Sequence, residues 1–135
     1  MKPKRVLLVD DNEDWLKAAQ RFLRAVPGLE LVGQAASGEQ ALELTAALHP
    51  DLVLMDFAMP GMNGTAAMQR IKQQPNAPKV IILTLHSDAA FRALANEAGA
   101  DGFLRKEDMV VELPRLLASL FPAGMSPGDE QVGLG

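Results

Sequence analysis

The sequence contains no cysteine, which excludes disulfide bonds, thiolate metal sites and a cysteine nucleophile. It also lacks a long apolar run near its start, because the first such run, RVLLV, stops at Asp10 and Asp11. Such a short run excludes a signal peptide or a membrane span in this region. No long basic run accompanies the net charge of −4, and binding to nucleic acid phosphates depends on clustered lysine and arginine. We therefore expect a soluble, cytoplasmic protein that touches neither membrane nor nucleic acid directly.

The sequence does contain a regular alternation of short apolar segments and amphipathic segments. Its 135 residues suffice for one domain with a hydrophobic core and are too few for two. The apolar segments predict strands at residues 5–9, 29–35, 52–55, 80–83 and 102–104. Helical spacing predicts helices at residues 12–26, 37–48, 64–73, 88–98 and 109–121. This order predicts an α/β, flavodoxin-like (βα)5 fold, a doubly wound parallel sheet with strand order 2-1-3-4-5.

Local patterns add detail to this prediction. Apolar residues at helical spacing predict the inward faces of the first two helices: Leu16, Ala19, Leu23 and Val26, then Ala41, Leu42, Leu44 and Leu48. Ser37 is predicted to cap the second helix. Pro114 would cost about 3 kcal/mol inside a helix, so we expect the last helix to begin close to it or to be kinked there.

Polar residues follow four of the predicted strands. Asp10 and Asp11 end the first strand and Asp56 ends the third, and the predicted strand order puts these two strands side by side at the ligand-binding edge. Thr84 and Lys106 follow the fourth and fifth strands. Taken singly, the acids fit turn or helix-cap residues, the threonine a strand-end hydroxyl and the lysine a solvated cation. Their convergence at one edge favours a functional site.

These side chains together favour metal-assisted phosphoryl transfer. Two unit charges about 4 Å apart repel by roughly 4 kcal/mol at an effective dielectric constant near 20, so clustered acids favour a cation. Oxygen ligands without histidine or cysteine indicate Mg²⁺. Asp56 can then attack a phosphoryl group, with Lys106 offsetting its charge and Thr84 donating a hydrogen bond. The sequence has no nucleotide phosphate loop, so the donor must carry a reactive phosphoryl group.

Four segments, VLLVDDNED, VLMDFAMPGMNG, VIILT and GFLRK, resemble in order and spacing the receiver domain of two-component response regulators. The segments LTLHSD and PGLELVGQAASGEQALEL are similar to receivers of the LuxR-type helix-turn-helix (NarL/FixJ) class. The resemblance extends to Phe121, which implies a receiver domain at residues 1–121. Residues 122–135 are rich in proline and glycine, which predicts a flexible tail or linker. We expect no output domain in this chain, either because the receiver stands alone or because an output domain was removed.

The resemblance implies a role for each residue of the predicted site. Asp56 would be the phosphoacceptor, and Thr84 and Lys106 would coordinate the phosphoryl group. The ligands of Mg²⁺ would be Asp11 directly, Asp10 through water, Asp56, and the backbone carbonyl of Ala58. The phosphoryl group would come from a sensor histidine kinase, a phosphotransfer protein or a small acyl phosphate.

By the same resemblance, the protein would be a phosphorylation-activated switch and not an enzyme, because it would catalyse only its own phosphorylation and dephosphorylation. Thr84 would move towards the phosphoryl group and Phe103 would fill the vacated space. The face formed by the fourth helix, fifth strand and fifth helix would then change and control a partner, an output domain or a homodimer. From the residues alone, Phe103 fits simple core packing equally well.

Other functions can be tested against the same positions. A haloacid dehalogenase-type phosphatase also forms an aspartyl phosphate with Mg²⁺, but it needs a second acid where this chain has Ala58. A flavodoxin-like FMN carrier needs a phosphate loop rich in Ser, Thr and Gly after the first strand. This chain has Asp10, Asp11 and Asn12 there, and the two carboxylates would repel phosphate. A receiver-like docking module that is never phosphorylated is the alternative function.

Several residues depart from the usual receiver pattern or carry a separate prediction. Leu85 is bulky where receivers usually have a small residue, which predicts restricted access of water and slow dephosphorylation. Ala58 has no side chain that can orient a hydrolytic water, whereas the side chain of His86 can. Of these two roles for His86, orienting water and capping a helix, we favour the helix cap. Glu107 stands where a proline often follows the lysine, and a cis bond before it would cost about 3–4 kcal/mol. Trp15, the only tryptophan, is interpreted as half-buried packing on the first helix.

Overall fold

The computed structural model describes residues 3–57, 64–85 and 89–122, in which strands and helices alternate. The strands in these ranges are β1 (Lys4–Val9), β2 (Leu29–Ala35), β3 (Leu52–Asp56), β4 (Lys79–Thr84) and β5 (Gly102–Arg105). The helices are α1 (Glu13–Arg24), α2 (Gly38–Leu48), α3 (Gly64–Lys72), α4 (Ala89–Glu97) and α5 (Met109–Leu120). A 3₁₀ turn, Lys106–Asp108, joins β5 to α5. Every predicted element is present, and no boundary differs from its prediction by more than two residues.

The strands form a parallel sheet in the order β2-β1-β3-β4-β5, which confirms the predicted flavodoxin-like topology. β3 is buried along its whole length, because helices cover both faces of the sheet. Leu8 and Leu54 pack with α1 and α5 on one face, whereas Val53 and Ile82 pack with α2, α3 and α4 on the other. The sheet therefore separates two apolar clusters. The buried polar side chains of Asp10, Asp56 and Thr84 lie at the carboxyl ends of its strands.

Side-chain caps set where the first two helices begin. Asn12 accepts a hydrogen bond from the Trp15 backbone N–H at 3.0 Å, and this cap starts α1. Ser37 accepts one from the Gln40 N–H at 3.1 Å, so Ser37 caps α2 as predicted. Gln40 in turn accepts from the Ala36 N–H at 2.8 Å, which satisfies a second donor at this helix start.

The predicted inward faces of α1 and α2 are largely confirmed. The fully buried residues of this set are Leu16, Ala19, Leu23 and Ala41. The half-buried ones are Val26, Leu42, Leu44 and Leu48. Thr45 is also buried, which was not predicted. Its hydroxyl donates a hydrogen bond to the Ala41 carbonyl at 2.6 Å, so its burial leaves no unpaired donor. Along the described ranges, no helix combines the length and apolar character needed to cross a bilayer.

The last helix begins before Pro114, although a start close to that proline was one of the two predicted alternatives. α5 starts at Met109, so a start close to Pro114 is wrong, and a kink at the proline stays a prediction. Met109, Leu113 and Leu117 are buried along one side of the helix and pack against the sheet. Pro114 itself lies on the exposed side. Among the described residues no peptide bond is cis, so the bond between Lys106 and Glu107 is trans.

At the amino edge of the sheet, two aspartates accept hydrogen bonds that link neighbouring elements. Asp51 Oδ2 accepts a hydrogen bond from the Arg5 backbone N–H at 2.9 Å, which ties the start of β3 to β1. Asp101 Oδ2 accepts from Lys72 Nζ and from the Val80 N–H, both at 2.8 Å, which ties β4 and β5 to α3. These carboxylates are therefore satisfied by donors of the chain itself.

Candidate functional site

The carboxyl ends of β1, β3, β4 and β5 meet at one cavity. Parallel pairing brings these ends level, because Val9 pairs with Met55 and Thr84 pairs with Arg105. The cavity has a volume of about 230 Å³ and is lined by Asp10, Asp11, Asn12, Asp56, Thr84, Leu85 and Lys106. Pockets for drug-sized ligands occupy roughly 300–1,000 Å³, so this cavity suits a smaller group. The five polar residues predicted from the sequence therefore line one common space.

The three acids of this cavity differ in exposure but lie close together. Asp10 is fully buried and Asp56 is 8% exposed, whereas Asp11 is exposed. One carboxylate oxygen from each lies within 4.8 Å of the others. At such separations two unit charges repel by about 3–4 kcal/mol for an effective dielectric constant near 20. The cluster therefore favours a cation.

Lys106 supplies one cation from within the chain. Its Nζ lies 2.5 Å from Asp10 Oδ2 and 3.6 Å from Asp56 Oδ2, and only 6% of the lysine side chain is exposed. One ammonium against three carboxylates leaves the cavity with an excess of negative charge if all are ionised. This excess is the electrostatic basis for binding a further cation.

The backbone around Lys106 is braced by its neighbours. Arg105 Nε donates to Asp108 Oδ2 at 2.8 Å, and Arg105 Nη1 lies 3.0 Å from Glu107 Oε1. The hydrogen bond that Arg105 donates to Asp108, followed by the charges of Asp108 and Glu107, raises the pKa of Arg105. Arg105 therefore stays charged at neutral pH.

The acids of the cavity fit a bound Mg²⁺. Asp10 Oδ1 accepts a hydrogen bond from the Asn12 N–H at 2.8 Å. Asp10 Oδ2 is buried and receives no well-aligned hydrogen bond, although the Lys106 ammonium is its ion-pair partner. A buried carboxylate oxygen without a hydrogen bond is costly, and a metal ion can satisfy it. Because all three side chains offer oxygen, Asp10, Asp11 and Asp56 would suit a hard cation such as Mg²⁺.

The remaining predicted residues occupy two different places. Thr84 is buried at the end of β4, and Leu85 is 73% exposed at the rim of the cavity. Phe103 does not line this cavity. It is half-buried on β5, where the Arg92 guanidinium lies 5.3 Å from its ring centroid. A separate cavity of about 430 Å³ is lined there by Phe103 together with Arg92 of α4 and residues of α5.

Two contacts of the Lys106 ammonium were not predicted from the sequence. Lys106 was expected to face a phosphoryl group, but its ammonium also pairs with Asp10. Trp15 was interpreted as a packing residue, and it is half-buried against the core, but Lys106 Nζ lies 4.6 Å from its ring centroid. A sequence signal did exist, because Trp15 follows Asp11 by one helical turn and so starts from the same edge of the sheet.

Some predictions concern residues outside the described ranges. These are the metal-binding carbonyl of Ala58 and the cap residue His86. The tail, from residue 123 onward, is outside them as well. These predictions stay predictions.

Comparison with known proteins adds independent findings. The profile of the response regulator receiver domain family matches residues 6–118. The chain is 37% identical over 111 residues to the transcriptional regulatory protein LiaR of Bacillus subtilis, covering 81% of this chain and 52% of LiaR. It is 31% identical over 106 residues to the nitrate/nitrite response regulator protein NarL of Escherichia coli, covering 78% of this chain and 49% of NarL. The chain thus spans about half the length of these relatives.

Solved structures agree with this relationship. A two-component response regulator of the LuxR family from Aurantimonas sp. SI85-9A1 superposes with a TM-score of 0.83 at 32% identity, covering 96% of this chain and 94% of that one. The response regulator domain of Thermotoga maritima CheB superposes with a TM-score of 0.79 at 26% identity, covering 87% and 96%. The similarity therefore extends over nearly the whole of both folds.

Proposed function

This chain belongs to the response regulator receiver domain family, and we propose that it accepts a phosphoryl group on Asp56 from a histidine kinase or a phosphotransfer protein. One observation carries the proposal: Asp56 shares a small cavity with two further acids, a threonine and a lysine. Asp56 is nearly buried but still borders this open space, and the ammonium of Lys106 is within 3.6 Å of it. A nucleophile and a charge-stabilising group are thereby next to each other.

In the proposed reaction a carboxylate oxygen of Asp56 attacks phosphorus. The bond between phosphorus and the imidazole nitrogen of the donor breaks, the nitrogen leaves with the electron pair, and an aspartyl phosphate forms. Lys106 offsets negative charge on the phosphoryl oxygens, and the Thr84 hydroxyl donates a hydrogen bond to one of them. A Mg²⁺ ion held by Asp10, Asp11 and Asp56 would supply a Lewis acid for the same oxygens.

We further propose that phosphorylation changes the face formed by α4, β5 and α5. Phe103 lies only partly buried between the core and a cavity of about 430 Å³, so its ring has room to change position. Movement of Thr84 towards the phosphoryl group would make space for that change. The face would then control a partner, a homodimer or an output domain joined through residues 122–135, and any contact with DNA would need that domain.

Labelling with acetyl phosphate tests the central claim. Incubation with acetyl phosphate and Mg²⁺ should add the mass of one phosphoryl group, measured by intact mass spectrometry. Asp56→Asn should remove this gain completely, because an amide is a poor nucleophile. Asp51→Asn, at the opposite edge of the sheet, is the matched control and should keep it. No gain in the wild type would favour the alternative of a docking module.

Trp15 fluorescence gives a second test of the same site. The indole contacts Lys106, whose ammonium is close to both Asp10 and Asp56, so events at the acids should reach the ring. Mg²⁺ and then beryllofluoride should each change the emission in a saturable way. Asp56→Asn should abolish the response to beryllofluoride, and a response that survives this substitution would contradict the assignment.

Phe103→Ala tests the proposed output face. The variant should be phosphorylated as fast as the wild type, because Phe103 does not line the acidic cavity. Dimerisation on phosphorylation, or binding to a partner, should change, since the ring is half-buried beside the second cavity. Sedimentation velocity with and without beryllofluoride measures the oligomeric state. Identical output from Phe103→Ala and the wild type would count against this role.

A further inference from the structure

The ammonium of Lys106 contacts the indole ring of Trp15, and the reaction proposed above assigns this contact no part. Nζ lies 4.6 Å from the ring centroid, 2.5 Å from Asp10 Oδ2 and 3.6 Å from Asp56 Oδ2. A cation within about 6 Å of an aromatic centroid is attracted to the ring face, most strongly to that of tryptophan. Because only 6% of the Lys106 side chain is exposed, little water weakens this attraction.

These groups form a closed ring of contacts that joins the β1–α1 connection, the start of α1 and the 3₁₀ turn. Asp10 Oδ1 accepts from the Asn12 N–H at 2.8 Å, and Asn12 Oδ1 accepts from the Trp15 N–H at 3.0 Å. Trp15 contacts Lys106, and Lys106 pairs with Asp10. The acid that binds the ammonium therefore also fixes the segment that carries the indole. The positions of lysine and indole are coupled through that one acid.

We propose that Trp15 is a positioning residue that keeps the Lys106 ammonium beside Asp56 and shields it from water during phosphoryl transfer. The lysine stem is flexible, and Asp10 is the nearer of its two carboxylate partners. The indole limits how far the ammonium can turn away from Asp56. This role rests on the proposed function, because it concerns the attack of Asp56 on a phosphoryl group.

Two substitutions at Trp15 separate this role from simple packing. The rate constant of phosphoryl gain from acetyl phosphate should fall about tenfold in Trp15→Leu, which loses the ring face. Trp15→Phe keeps an aromatic face and should recover most of the rate. Phe22→Leu is the matched control, because Phe22 is another half-buried aromatic residue of α1 and lies outside the cavity lining. Its rate should stay within about twofold of the wild type, whatever its stability.

A double-mutant cycle with Lys106→Met tests whether the indole acts through the ammonium. In the Lys106→Met background, Trp15→Leu should cause no further loss of rate. An equal loss in both backgrounds, or equal rates for Trp15→Phe and Trp15→Leu, would overturn the proposal. A wild type that gains no phosphoryl group would remove the proposed function and this role together. A normal wild type with an unaffected Trp15→Leu would remove this role alone.

The contact itself can be measured without any phosphorylation. Lys106→Met should change the intensity of Trp15 emission, because the ammonium lies against the ring. Lys79→Met, which removes an exposed ammonium at the amino end of β4, is the control and should leave the emission unchanged. Emission that is insensitive to Lys106→Met would also overturn the proposal.

Discussion

The amino and carboxyl edges of the sheet contain the same residue types. Their carboxylates differ in how completely they are hydrogen-bonded by the chain. At the amino edge, Asp101 Oδ2 accepts hydrogen bonds from Lys72 Nζ and the Val80 N–H, both at 2.8 Å. At the carboxyl edge, Asp10 Oδ2 has the Lys106 ammonium 2.5 Å away but receives no aligned hydrogen bond. The amino edge pairs its acid with donors of the chain, whereas the carboxyl edge has three clustered acids, two of which share one lysine.

Under the proposed function, this difference separates an acid that stabilises the fold from one that takes part in ligand binding. A carboxylate saturated by its own chain has no capacity left for a ligand, and it stabilises the fold. A cluster with excess negative charge costs stability unless a cation binds, and it thereby retains affinity for a metal ion. Residue type alone does not distinguish the two cases, because both edges contain a buried or half-buried Asp with a Lys partner.

The same substitution made at each edge should give the largest contrast. Asp101→Asn should lower the free energy of unfolding by about 2 kcal/mol, because it weakens two hydrogen bonds of a half-buried network. It should leave phosphoryl gain unchanged. Asp56→Asn should abolish phosphoryl gain without loss of stability, because it removes one charge from the crowded cluster. Urea unfolding followed by circular dichroism, together with intact mass, measures both properties.

Either of two results would break this contrast between the edges. One is an Asp56→Asn variant that is clearly less stable than the wild type. The other is an Asp101→Asn variant that folds but gains no phosphoryl group. Glu112→Gln serves as the baseline, because its pair with Arg115 is long at 3.7 Å and exposed, and we expect a loss of less than about 0.5 kcal/mol.

A smaller effect should follow from Asp11, the exposed acid of the cluster. Without metal, Asp11→Asn should be about 0.5–1 kcal/mol more stable than the wild type, since it relieves repulsion. Mg²⁺ at about ten times its dissociation constant should stabilise the wild type by about 1.4 kcal/mol. The variant should gain much less. Thermal unfolding with Mg²⁺ and with a chelator measures these changes.

The control for this metal response is Asp14→Asn. Asp14 is an exposed acid in the first turn of α1, close in sequence to Asp11 but absent from the cluster. Its variant should respond to Mg²⁺ as the wild type does. A wild type that is not stabilised by Mg²⁺, or equal responses from Asp11→Asn and Asp14→Asn, would mean that the acid cluster does not bind the metal.

The smallest effect is expected at the rim. Leu85 is 73% exposed and lines the cavity, so it can obstruct water without contributing to the core. Leu85→Ala should shorten the lifetime of the phosphorylated protein about threefold, which is less than about 1 kcal/mol in activation free energy. Intact mass after removal of acetyl phosphate measures the decay. Leu94→Ala, an exposed leucine of α4, is the control, and an unchanged lifetime in Leu85→Ala would refute the obstruction.

Much of the fold was predictable, because local patterns and topology rules agree. Apolar runs such as VIIL have the length of buried strands, and helical spacing such as that of Leu16, Ala19 and Leu23 indicates one buried helix face. The unpredicted burial of Thr45 and the wrong start of α5 close to Pro114 both occurred where a single contact outweighed the local sequence preference. Thr45 is buried because it bonds to the carbonyl of Ala41, and α5 begins before Pro114 because Met109 packs into the core.

The sequence by itself determined which chemical groups reach the carboxyl edge of the sheet. A parallel sheet with this strand order brings strand ends together, so Asp10, Asp56 and Thr84 line one cavity once the elements exist. Only the tertiary structure decided how those groups are paired. The Lys106 ammonium lies nearer to Asp10 than to Asp56 and against the Trp15 ring, contacts that depend on distances of a few ångströms between distant segments. No local periodicity encodes such distances, because they are set by how the helices pack on the sheet.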